Sequence, residues 1–422
     1  MTPQDLAYAV EAVELCLDFA HPADGRLSAF FRHYPKLGGR ERGLVAETAY
    51  GVLRRLRTLE YLAAGEGGKA PTPRRLVLAW LARFGGHNLR ELEPLVGKSR
   101  KDLEWLRTMK SQDLGALSPA QTLDLPDWLH ERLAARYGND LPALMAALNT
   151  AAPLDLRINP AKTSREDAQA ALTRDSLEAD PTPYSPLGLR MRGKPALQKH
   201  PLFLDGSLEV QDEGSQLLGL LLAPRRGEMV CDFCAGAGGK TLLLGALMRN
   251  AGRLYAFDVS EKRLARLKPR LARSGLSNIQ AQVITNERDA KVKRLAGKFD
   301  RVLVDAPCSG LGTLRRNPDL KWRQSPESVT ELTAKQAAIL ESASRLVKHG
   351  GRLVYATCSL LPEENEAIVE GFLVGHQEFR LLPAGEVLAS QRIPLEMGPY
   401  LRLDPARHGT DGFFAAVLER QA

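Results

Sequence analysis

The sequence lacks the features of membrane, secreted and disordered proteins. Its 422 residues contain no apolar run near the roughly 20 residues that a transmembrane helix requires, and the densest run is LLGLLLA at 217–223. The N-terminus is acidic where a secretory signal peptide would be basic. A content of 26 prolines, 36 glycines and 44% hydrophobic residues excludes a disordered or collagen-like chain. We therefore expect a cytoplasmic protein of two or three folded domains.

Cysteine is scarce, and no cluster of metal ligands is apparent. The cysteines are Cys16, Cys231, Cys234, Cys308 and Cys358. They are too few and too scattered for a disulfide framework. The one CxxC spacing, from Cys231 to Cys234, has neither a second pair nor nearby histidines, so no metal site is predicted. An excess of 58 Lys and Arg over 50 Asp and Glu gives a net charge of +8, which favours a polyanionic partner.

Changes in hydrophobic periodicity predict three domains. Residues 1–145 carry apolar side chains at helical spacing and predict an all-helical domain. Residues 146–222 predict a small α/β module, with a strand at PLDLRINP, a helix over 164–177 and a second strand near 187–191. Residues 223–422 alternate short apolar strands with amphipathic helices, which is typical of a doubly wound parallel sheet. The strands are EMVCDF, RLYAFD, IQAQVI, FDRVLVD and GRLVYAT, and GFFAAVLER predicts a further, antiparallel strand.

Two finer predictions concern a loop and a helix end. A Gly- and Pro-rich loop at 65–73 separates two helices of the first domain. Helical spacing from Val329 to Val347 predicts the helix before GRLVYAT, and this helix is expected to stop at His349, Gly350 and Gly351.

A glycine-rich loop, DFCAGAGGKT at 232–241, follows the first strand of the parallel sheet, where such sheets bind nucleotide-like ligands. A phosphate-binding P-loop would need glycine at Cys234, and a dinucleotide fingerprint would need a small residue at Thr241. Both fits fail by one residue. A loop whose backbone approaches the ligand closely, with little anion binding, suits S-adenosylmethionine. Asp258 is placed to accept hydrogen bonds from the ribose hydroxyls of this ligand. Because NAD enzymes share such an aspartate, an NAD-dependent enzyme stays an alternative.

The strongest signals are DAPCSGLGTLRRNPDLKW at 305–322 and ATCSLLPEENE at 356–366. In a 3-2-1-4-5 strand order the fourth and fifth strands are neighbours, so Cys308 and Cys358 leave their carboxyl ends side by side. A lone cysteine is usually a small buried hydrophobe, which is our interpretation of Cys16 and Cys231. Two thiols at one active-site mouth indicate a reaction that uses both.

Two groups of basic residues are candidates for RNA contacts, and a solvated surface is the alternative for each. One group lies in the helical domain, away from its apolar stripe. The other follows Cys308 and is placed to hold the phosphates of an unstacked nucleotide. The groups are Arg40, Arg42, Arg54, Arg55 and Arg57, and then Arg315, Arg316, Lys321 and Arg323.

These motifs resemble the Sun/Fmu-type family of RNA cytosine-C5 methyltransferases, and in particular its bacterial 16S ribosomal RNA members. The matching segments are VQDEGSQL, DFCAGAGGKT, FDVSEKR, VLVDAPCSGLG, RRNPDLKW, YATCSLLPEENE and DGFFAAVLER. RERGLVAETAYGVLRRLRTL is similar to the NusB-like RNA-binding domain of the ribosomal members, which favours ribosomal over transfer RNA. The resemblance implies a Rossmann-like methyltransferase domain preceded by an all-helical NusB-like domain and a small α/β module. Ala237 departs from the family, where proline usually stands.

The resemblance also implies a chemistry that uses both thiols. Cytosine C5 becomes nucleophilic enough to accept a methyl group only after a thiolate adds to C6. By resemblance Cys358 is this nucleophile and Cys308 assists its release, while Asp305 binds the N3 edge of the base. Lys240 is either structural or in contact with the target nucleotide. Asp289 in NERDA is the best match to the acidic residue on the adenine side, although its spacing to Asp305 is short.

S-adenosylmethionine is therefore the expected cofactor, and RNA, most favourably 16S ribosomal RNA, is the expected partner. No metal, no membrane and no second copy of the chain are expected. The predicted cofactor-binding residues are Cys234, Ala235, Gly236, Ala237, Gly238, Gly239, Lys240, Asp258, Lys262, Asp289 and Asp305. A transfer RNA methyltransferase and a non-catalytic ribosome-assembly factor are the alternatives. The non-catalytic factor is disfavoured because the chain has all four residues that the reaction needs, Cys358, Cys308, Asp305 and Asp258.

Overall fold

The computed structural model describes residues 1–64, 70–97 and 99–421, so positions 65–69 of the predicted loop lie outside it. The described residues form two compact units. The helical unit comprises Met1–Ala151 and Thr313–Pro326, and the sheet unit comprises Ala152–Gly312 and the chain from Glu327 onward. Among the described helices, none combines the length and the apolar character needed to cross a bilayer.

The helical unit confirms the all-helical prediction. Its first ten helices are α1 (Pro3–Cys16), α2 (Ala23–His33), α3 (Gly39–Arg54), α4 (Leu56–Ala63), α5 (Pro73–Arg83), α6 (Leu89–Val96), α7 (Arg100–Ser111), α8 (Pro119–Thr122), α9 (Asp127–Tyr137) and α10 (Leu141–Leu148). Helices α1, α5 and α8 each begin with a Thr or Ser cap followed by proline, the combination that satisfies free backbone amides and preorganises the first turn. The apolar faces of α1, α3 and α5 bury side chains such as Leu6, Val52 and Leu81 in one core.

The first part of the sheet unit is a four-stranded antiparallel sheet of order β2-β3-β1-β4. Its elements are β1 (Leu154–Ile158), α11 (Arg165–Arg174), β2 (Ala179–Pro181), β3 (Gly188–Met191), α12 (Pro201–Leu204) and β4 (Leu208–Val210). The predicted strands correspond to β1 and β3. The alternation of apolar and polar residues in β1 is typical of a half-buried strand, but Asp155 and Arg157 are buried together with Leu156 and Ile158, so the polar side chains of this strand do not face solvent. Asp155 instead accepts two hydrogen bonds from Arg190 on β3.

The second part holds the doubly wound sheet. Its elements are α13 (Glu213–Leu222), β5 (Met229–Asp232), α14 (Gly239–Leu247), β6 (Arg253–Asp258), α15 (Glu261–Ala265), α16 (Leu267–Ser274), β7 (Ile279–Val283), α17 (Ala290–Lys293), β8 (Phe299–Asp305), α19 (Pro326–Ser344), β9 (Val347–Thr357), α20 (Glu366–Gly375), β10 (Phe379–Leu382), α21 (Ala384–Ser390), β11 (Leu401–Leu403), α22 (Pro405–His408) and β12 (Phe413–Arg420). Helix α18 (Leu320–Arg323) lies between β8 and α19 in the chain but belongs to the helical unit. The order is β10-β12-β9-β8-β5-β6-β7, and β11 pairs with β12. Strands β5 to β9 are parallel in the predicted 3-2-1-4-5 order, and β12 is antiparallel as predicted.

Three details differ from the sequence predictions. Helix α19 ends at Ser344, and the residues from Val347 to Gly351 belong to strand β9, which meets β8 at an irregular register. The small module and the doubly wound sheet belong to one compact unit, whereas the prediction divided them at 222/223. Residues 313–326, including α18, pack in the helical unit although the prediction assigned them to the catalytic domain.

Candidate active site

Three aspartates end neighbouring parallel strands of the sheet unit. Asp232, Asp258 and Asp305 are the last residues of β5, β6 and β8. Because these strands are parallel and adjacent, their carboxyl ends meet at one edge of the sheet, where doubly wound folds bind ligands. Asp258 and Asp305 were predicted site residues, and Asp232 was missed. The signal for Asp232 was present, because all three predicted strands end in or next to aspartate.

The glycine-rich loop turns sharply from β5 into α14. The backbone N–H of Gly236 donates to Asp258 at 2.8 Å, and that of Ala235 donates to the carbonyl of Phe257 at 2.9 Å. Gly238 has a φ of +81°, and a Cβ there would lie 2.2 Å from a methyl carbon of Leu267. Glycine is therefore required for close packing of this loop against α16.

Two arginines, one from the small module and one from α16, bind carbonyl groups of the same loop. Arg157 on β1 donates to the carbonyl of Gly239 at 2.7 Å, and burial lowers its pKa to about 10. Arg270 on α16 donates to the carbonyl of Ala237 at 2.7 Å and is paired with Glu209 on β4. Sequence reasoning missed these residues, because Arg157 and Glu209 lie far from the loop in the chain and carry no motif.

Asp258 is 3% exposed, and its carboxylate already accepts protein hydrogen bonds. Besides Gly236, the N–H of Ser260 donates to it at 2.7 Å and Arg263 pairs with it at 2.9 Å. Lys262, a predicted cofactor residue, is exposed on α15. Asp289 caps α17: it accepts from the N–H groups of Thr285 and Lys291, and these bonds lower its pKa.

Asp232 is 1% exposed, and burial raises its pKa to about 7. One carboxylate oxygen accepts from the hydroxyl of Thr241 at 2.7 Å, and within the described residues the other, Oδ1, has no hydrogen-bond partner. Cys234, in the loop, is half-buried, and burial raises the pKa of its thiol. Within the part of the chain that the structure describes, no group of three or more potential metal ligands occurs.

The two predicted thiols meet at the ends of β8 and β9. Sγ of Cys308 lies 3.4 Å from Sγ of Cys358, and the N–H of Cys358 donates to Sγ of Cys308 at 3.3 Å. The hydrogen bond with Cys358 and burial raise the pKa of Cys308 well above its ordinary value. The N–H of Gly312 donates to the carbonyl of Cys358 at 2.8 Å, and a Cβ on Gly312 would lie 2.2 Å from the carbonyl oxygen of Gly412. The same Cβ would lie 2.9 Å from the carbonyl oxygen of Cys358, so glycine at 312 allows the segment after Cys308 to approach both Cys358 and Gly412.

Lys240, at the start of α14, faces the same edge. Its ammonium group lies 2.6 Å from a carboxylate oxygen of Asp305. Burial disfavours the charged ammonium, but Asp305 outweighs burial, so that the pKa of Lys240 is raised. Cys358 is the smallest of the causes that raise the pKa of Lys240. The structure thus brings together Cys308, Cys358, Asp305 and Lys240.

The basic run after Cys308 is placed differently from its prediction. Lys321 is 0% exposed in the helical unit, where its ammonium donates to the carbonyl of Arg54 at 2.9 Å and to the side chain of Asn149 at 3.2 Å. Arg315 is also buried, and Arg323 pairs with Asp319. Lys321 and Arg315 are therefore withdrawn from the predicted RNA contacts, because neither presents its charge to solvent. Arg316 and Arg323 are half-buried in the same segment.

The arginines of the helical unit are mostly engaged within that unit. Arg42 donates to the carbonyl of Leu37 at 2.8 Å. Arg54 donates to the carbonyl of Arg315 at 2.8 Å, Arg55 pairs with Asp124 at 3.4 Å, and Arg57 pairs with Asp127 at 2.6 Å. These four arginines are half-buried, whereas Arg40 is exposed. Arg40 remains the best placed of the predicted group to meet a phosphate.

This geometry can be set beside known proteins. Residues 219–419 match the family described as 16S rRNA methyltransferase RsmB/F, and residues 125–198 match the ferredoxin-like domain of RsmF/B-like methyltransferases. The chain is 36% identical to the probable ribosomal RNA small subunit methyltransferase B of Synechocystis sp., in an alignment that covers 90% of this chain and 91% of the relative. The chain belongs to the RsmB/F methyltransferase family.

Other relatives agree with this assignment. The ribosomal RNA small subunit methyltransferase B of Vibrio cholerae is 30% identical over 98% of this chain and 97% of its own. The crystal structure of PH0851 superposes with a TM-score of 0.81 at 28% identity, covering 100% of this chain and 99% of the other. A methyltransferase homolog protein from Pyrococcus horikoshii gives a TM-score of 0.62 at 29% identity, covering 72% and 100%. The predicted Rossmann-like methyltransferase fold is confirmed.

S-adenosylmethionine is the cofactor of this family, and the strand edge fits it. The ligand offers an ammonium group and ribose hydroxyls as hydrogen-bond donors, and the edge offers carboxylate acceptors. The buried Oδ1 of Asp232 has no partner among the described residues, and Asp258 ends the next strand. The tight turn at Gly236 and Gly238 exposes backbone for close approach. These residues would hold the cofactor, which supplies an electrophilic methyl group when bound.

Proposed function

We propose that the chain methylates C5 of a cytosine in 16S ribosomal RNA through a covalent adduct between Cys358 and C6 of the base. The observation that carries the proposal is the 3.4 Å approach of the Cys308 and Cys358 sulfurs at the edge that holds Asp305 and Lys240. A methyltransferase whose substrate already offers a nucleophilic atom, such as an amine nitrogen, has no use for two adjacent thiols. Methylation at a carbon that must first be activated does use them.

The first step is the addition of the Cys358 thiolate to C6, which makes C5 nucleophilic. Negative charge then develops toward N3 and O2 of the cytosine ring. Asp305 and Lys240, joined at 2.6 Å, supply an acceptor and a cation for that edge of the base.

The second half of the reaction restores the aromatic ring. After C5 has taken up the methyl group, a base must take the C5 proton. The electrons of that C–H bond then re-form the C5–C6 double bond, and the bond from C6 to Sγ of Cys358 breaks with the sulfur leaving as thiolate. Cys308 lies within contact distance of that sulfur. We assign to Cys308 the assistance of this elimination, in which Cys358 departs from C6.

The choice of 16S ribosomal RNA is supported by the names of the relatives and by charge. The Synechocystis and Vibrio cholerae relatives, which align over at least 90% of this chain, are both named ribosomal RNA small subunit methyltransferase B. The net charge of +8 suits a polyanionic substrate.

The test combines a product assay with two cysteine variants. The purified chain is incubated with methyl-tritiated S-adenosylmethionine and unmodified 16S ribosomal RNA, with transfer RNA in parallel, and the nucleosides are separated. We expect label in 5-methylcytidine from 16S ribosomal RNA. Cys358→Ser should give neither product nor adduct, whereas Cys308→Ser should accumulate an RNA-linked, slower-migrating band on a denaturing gel.

Each other outcome removes a defined part of the proposal. Label in another nucleoside refutes C5 chemistry, and a preference for transfer RNA refutes the substrate. A trapped band with Cys358→Ser instead of Cys308→Ser reverses the two roles. If both variants lose activity and neither traps RNA, the release role of Cys308 is refuted.

A further inference from the structure

One face of the small antiparallel sheet is polar and nevertheless buried. On β1 the apolar Leu156 and Ile158 belong to the core of the module, and Arg157, between them, points to the opposite face of the sheet. In the register of β1 with β4, Arg157 lies opposite Glu209. Arg157 is 3% exposed and Glu209 is 4% exposed. Other parts of the sheet unit therefore cover this polar face.

The glycine-rich loop is one of the parts that cover it. Arg157 donates to the carbonyl of Gly239 at 2.7 Å. Arg270, on α16, donates to the carbonyl of Ala237, also at 2.7 Å. Two guanidinium groups therefore bind the carbonyls of the residues on either side of Gly238.

The two guanidinium groups are themselves held in place. The side-chain carbonyl of Gln211, which follows β4, accepts from Arg157, and its amide donates to the hydroxyl of Ser215 on α13 at 3.1 Å. Nε and Nη2 of Arg270 both donate to one carboxylate oxygen of Glu209, at 3.1 and 2.9 Å. Side chains fixed in this way by further hydrogen bonds offer their donors in defined positions.

Binding a carbonyl also fixes the amide of the same peptide group, because the peptide bond is planar. The amide that belongs with the carbonyl of Ala237 is that of Gly238, and it donates to the carbonyl of Ala235 at 2.8 Å. The amide that belongs with the carbonyl of Gly239 is that of Lys240, in the first turn of α14. Glycine has many conformations open to it, so these bonds select one conformation of the loop among several.

We infer that Arg157 and Arg270 are positioning residues for S-adenosylmethionine: they hold the glycine-rich loop, before the cofactor binds, in the conformation that receives it. A loop that is ordered in advance binds its ligand more tightly than a loop that must be ordered on binding. The small module, which supplies Arg157 and Glu209, thereby contributes to cofactor binding. The inference concerns the cofactor alone and holds whichever base of the RNA is methylated.

The first measurement uses the parent chain and requires no variant to fold. Hydrogen exchange of the loop amides is followed with and without S-adenosylhomocysteine, the product that remains after methyl transfer. The N–H groups of Gly236 and Gly238, which donate to Asp258 and to Ala235, should be protected without the ligand. If these amides exchange as fast as those of an unstructured peptide until the ligand is added, the inference is overturned.

The second measurement is the affinity of the full chain for S-adenosylhomocysteine by titration calorimetry. Arg157→Met removes the donor to Gly239, and Arg270→Met removes the donor to Ala237. Each should weaken binding by about tenfold, the factor expected for one hydrogen bond from a charged group. Arg157→Lys keeps a cation and a donor, so its affinity should lie between those of the parent and Arg157→Met. The loop amides of both Met variants should exchange faster than in the parent.

Arg190→Met is the matched control. Arg190 lies on β3 of the same small sheet and donates to Asp155 and to the carbonyl of Gly409, which are outside the loop. Its replacement should lower the stability of the module and leave both the affinity and the exchange of the loop amides at the parent values. This control separates a general weakening of the module from a loss of loop position.

Several results would contradict the inference. It is overturned if either folded Met variant of Arg157 or Arg270 keeps the parent affinity, or if Arg190→Met loses as much affinity as they do. Equal losses in Arg157→Lys and Arg157→Met would show that the donor is not what matters. A weaker affinity with unchanged exchange of the loop amides would exclude an action through the loop. None of these measurements uses RNA, so a failure of the proposed cytosine chemistry would be seen separately, in the nucleoside assay.

Discussion

Two lysines, the half-buried Lys240 in the sheet unit and the fully buried Lys321 in the helical unit, lie in very different surroundings. Lys240 lies at the ligand-binding edge of the sheet unit and is paired with Asp305, which raises its pKa. Lys321 lies inside the helical unit, where neutral oxygens of Arg54 and Asn149 accept its hydrogen bonds and burial lowers its pKa to about 7. Both lysines stand in family motifs, GGK and DLKW, and both were predicted site residues.

The two environments give the two lysines different tasks: the first is placed to act on a ligand, and the second belongs to the core of the helical unit. A cation held by a carboxylate at an open edge keeps its charge and can act on a ligand. A cation surrounded by carbonyl and amide oxygens in a core satisfies backbone groups, and its charge costs free energy. Residues 313–326 therefore carry a motif whose described contacts complete the helical unit: besides Lys321, Trp322 donates to the carbonyl of Leu53 at 2.7 Å.

The same substitution at both lysines should give opposite phenotypes, and this is the largest effect expected. Lys240→Met removes the cation beside Cys358 and Asp305, and loss of such an electrostatic group costs about 10²- to 10³-fold in rate. Lys321→Met should keep most of the single-turnover methyl-transfer rate below its unfolding temperature. Rapid-quench assays with saturating RNA and cofactor measure both. Equal losses of rate in two folded variants would refute the comparison.

The fold of the sheet unit could be predicted from the sequence because its main strands are long enough to show a hydrophobic pattern. Strands β6 and β8 begin and end where the apolar runs do, and their order follows from the rules for parallel sheets. Strands β2, β4 and β11 have three residues each, too few to show a period, and their pairing is decided by distant segments. The start of β9 was missed because glycines, which usually end a helix, here lie within a strand.

The sequence predicts the site residues only where they form local motifs. Cys308, Cys358, Asp305 and the glycine-rich loop could be found because each follows a recognisable strand. The buried Glu364 could not be placed near Cys308 from the sequence, because it accepts a hydrogen bond from Ser309, which is 55 residues away. Arg157 contacts Gly239 across 82 residues for the same reason. Long-range polar contacts carry no periodicity, so a single sequence does not reveal them.

Lys321 should give the helical unit a stability that rises with pH. Burial lowers its pKa to about 7 in the folded state, whereas the pKa of an unfolded lysine is about 10.4. Below pH 7 both states are protonated and the full cost of the buried charge is present. Above pH 7 the folded state loses its proton first, so the unfolded state binds more protons and the folded state gains stability until both are neutral.

Lys321→Met should remove this pH dependence. Between pH 7 and 9 the parent should gain up to about 2–3 kcal/mol relative to the variant. Denaturant unfolding, followed by the fluorescence of tryptophans in the helical unit, measures the difference at each pH. Parallel stability curves for parent and variant across this range would show that Lys321 is protonated when folded, which would contradict the described environment.

The smallest effect concerns the arginines predicted to contact RNA. Arg40 is exposed, whereas Arg55 is half-buried, paired with the fully buried Asp124 and placed over the ring of Phe84. Arg40→Ala should lower the slope of log K against log salt for RNA binding by about 0.7 to 0.9, the contribution of one phosphate contact. Its free energy of unfolding should stay within about 0.5 kcal/mol of the parent, as is usual for surface positions.

Arg55→Ala should do the reverse: it leaves the carboxylate of Asp124 without this partner, so stability falls while the salt slope stays. Filter binding over a salt series, together with thermal unfolding of the same preparations, separates the two. If Arg55→Ala flattens the slope and leaves stability intact, the half-buried arginines belong to the RNA surface after all, and their internal hydrogen bonds are exchanged for phosphates on binding.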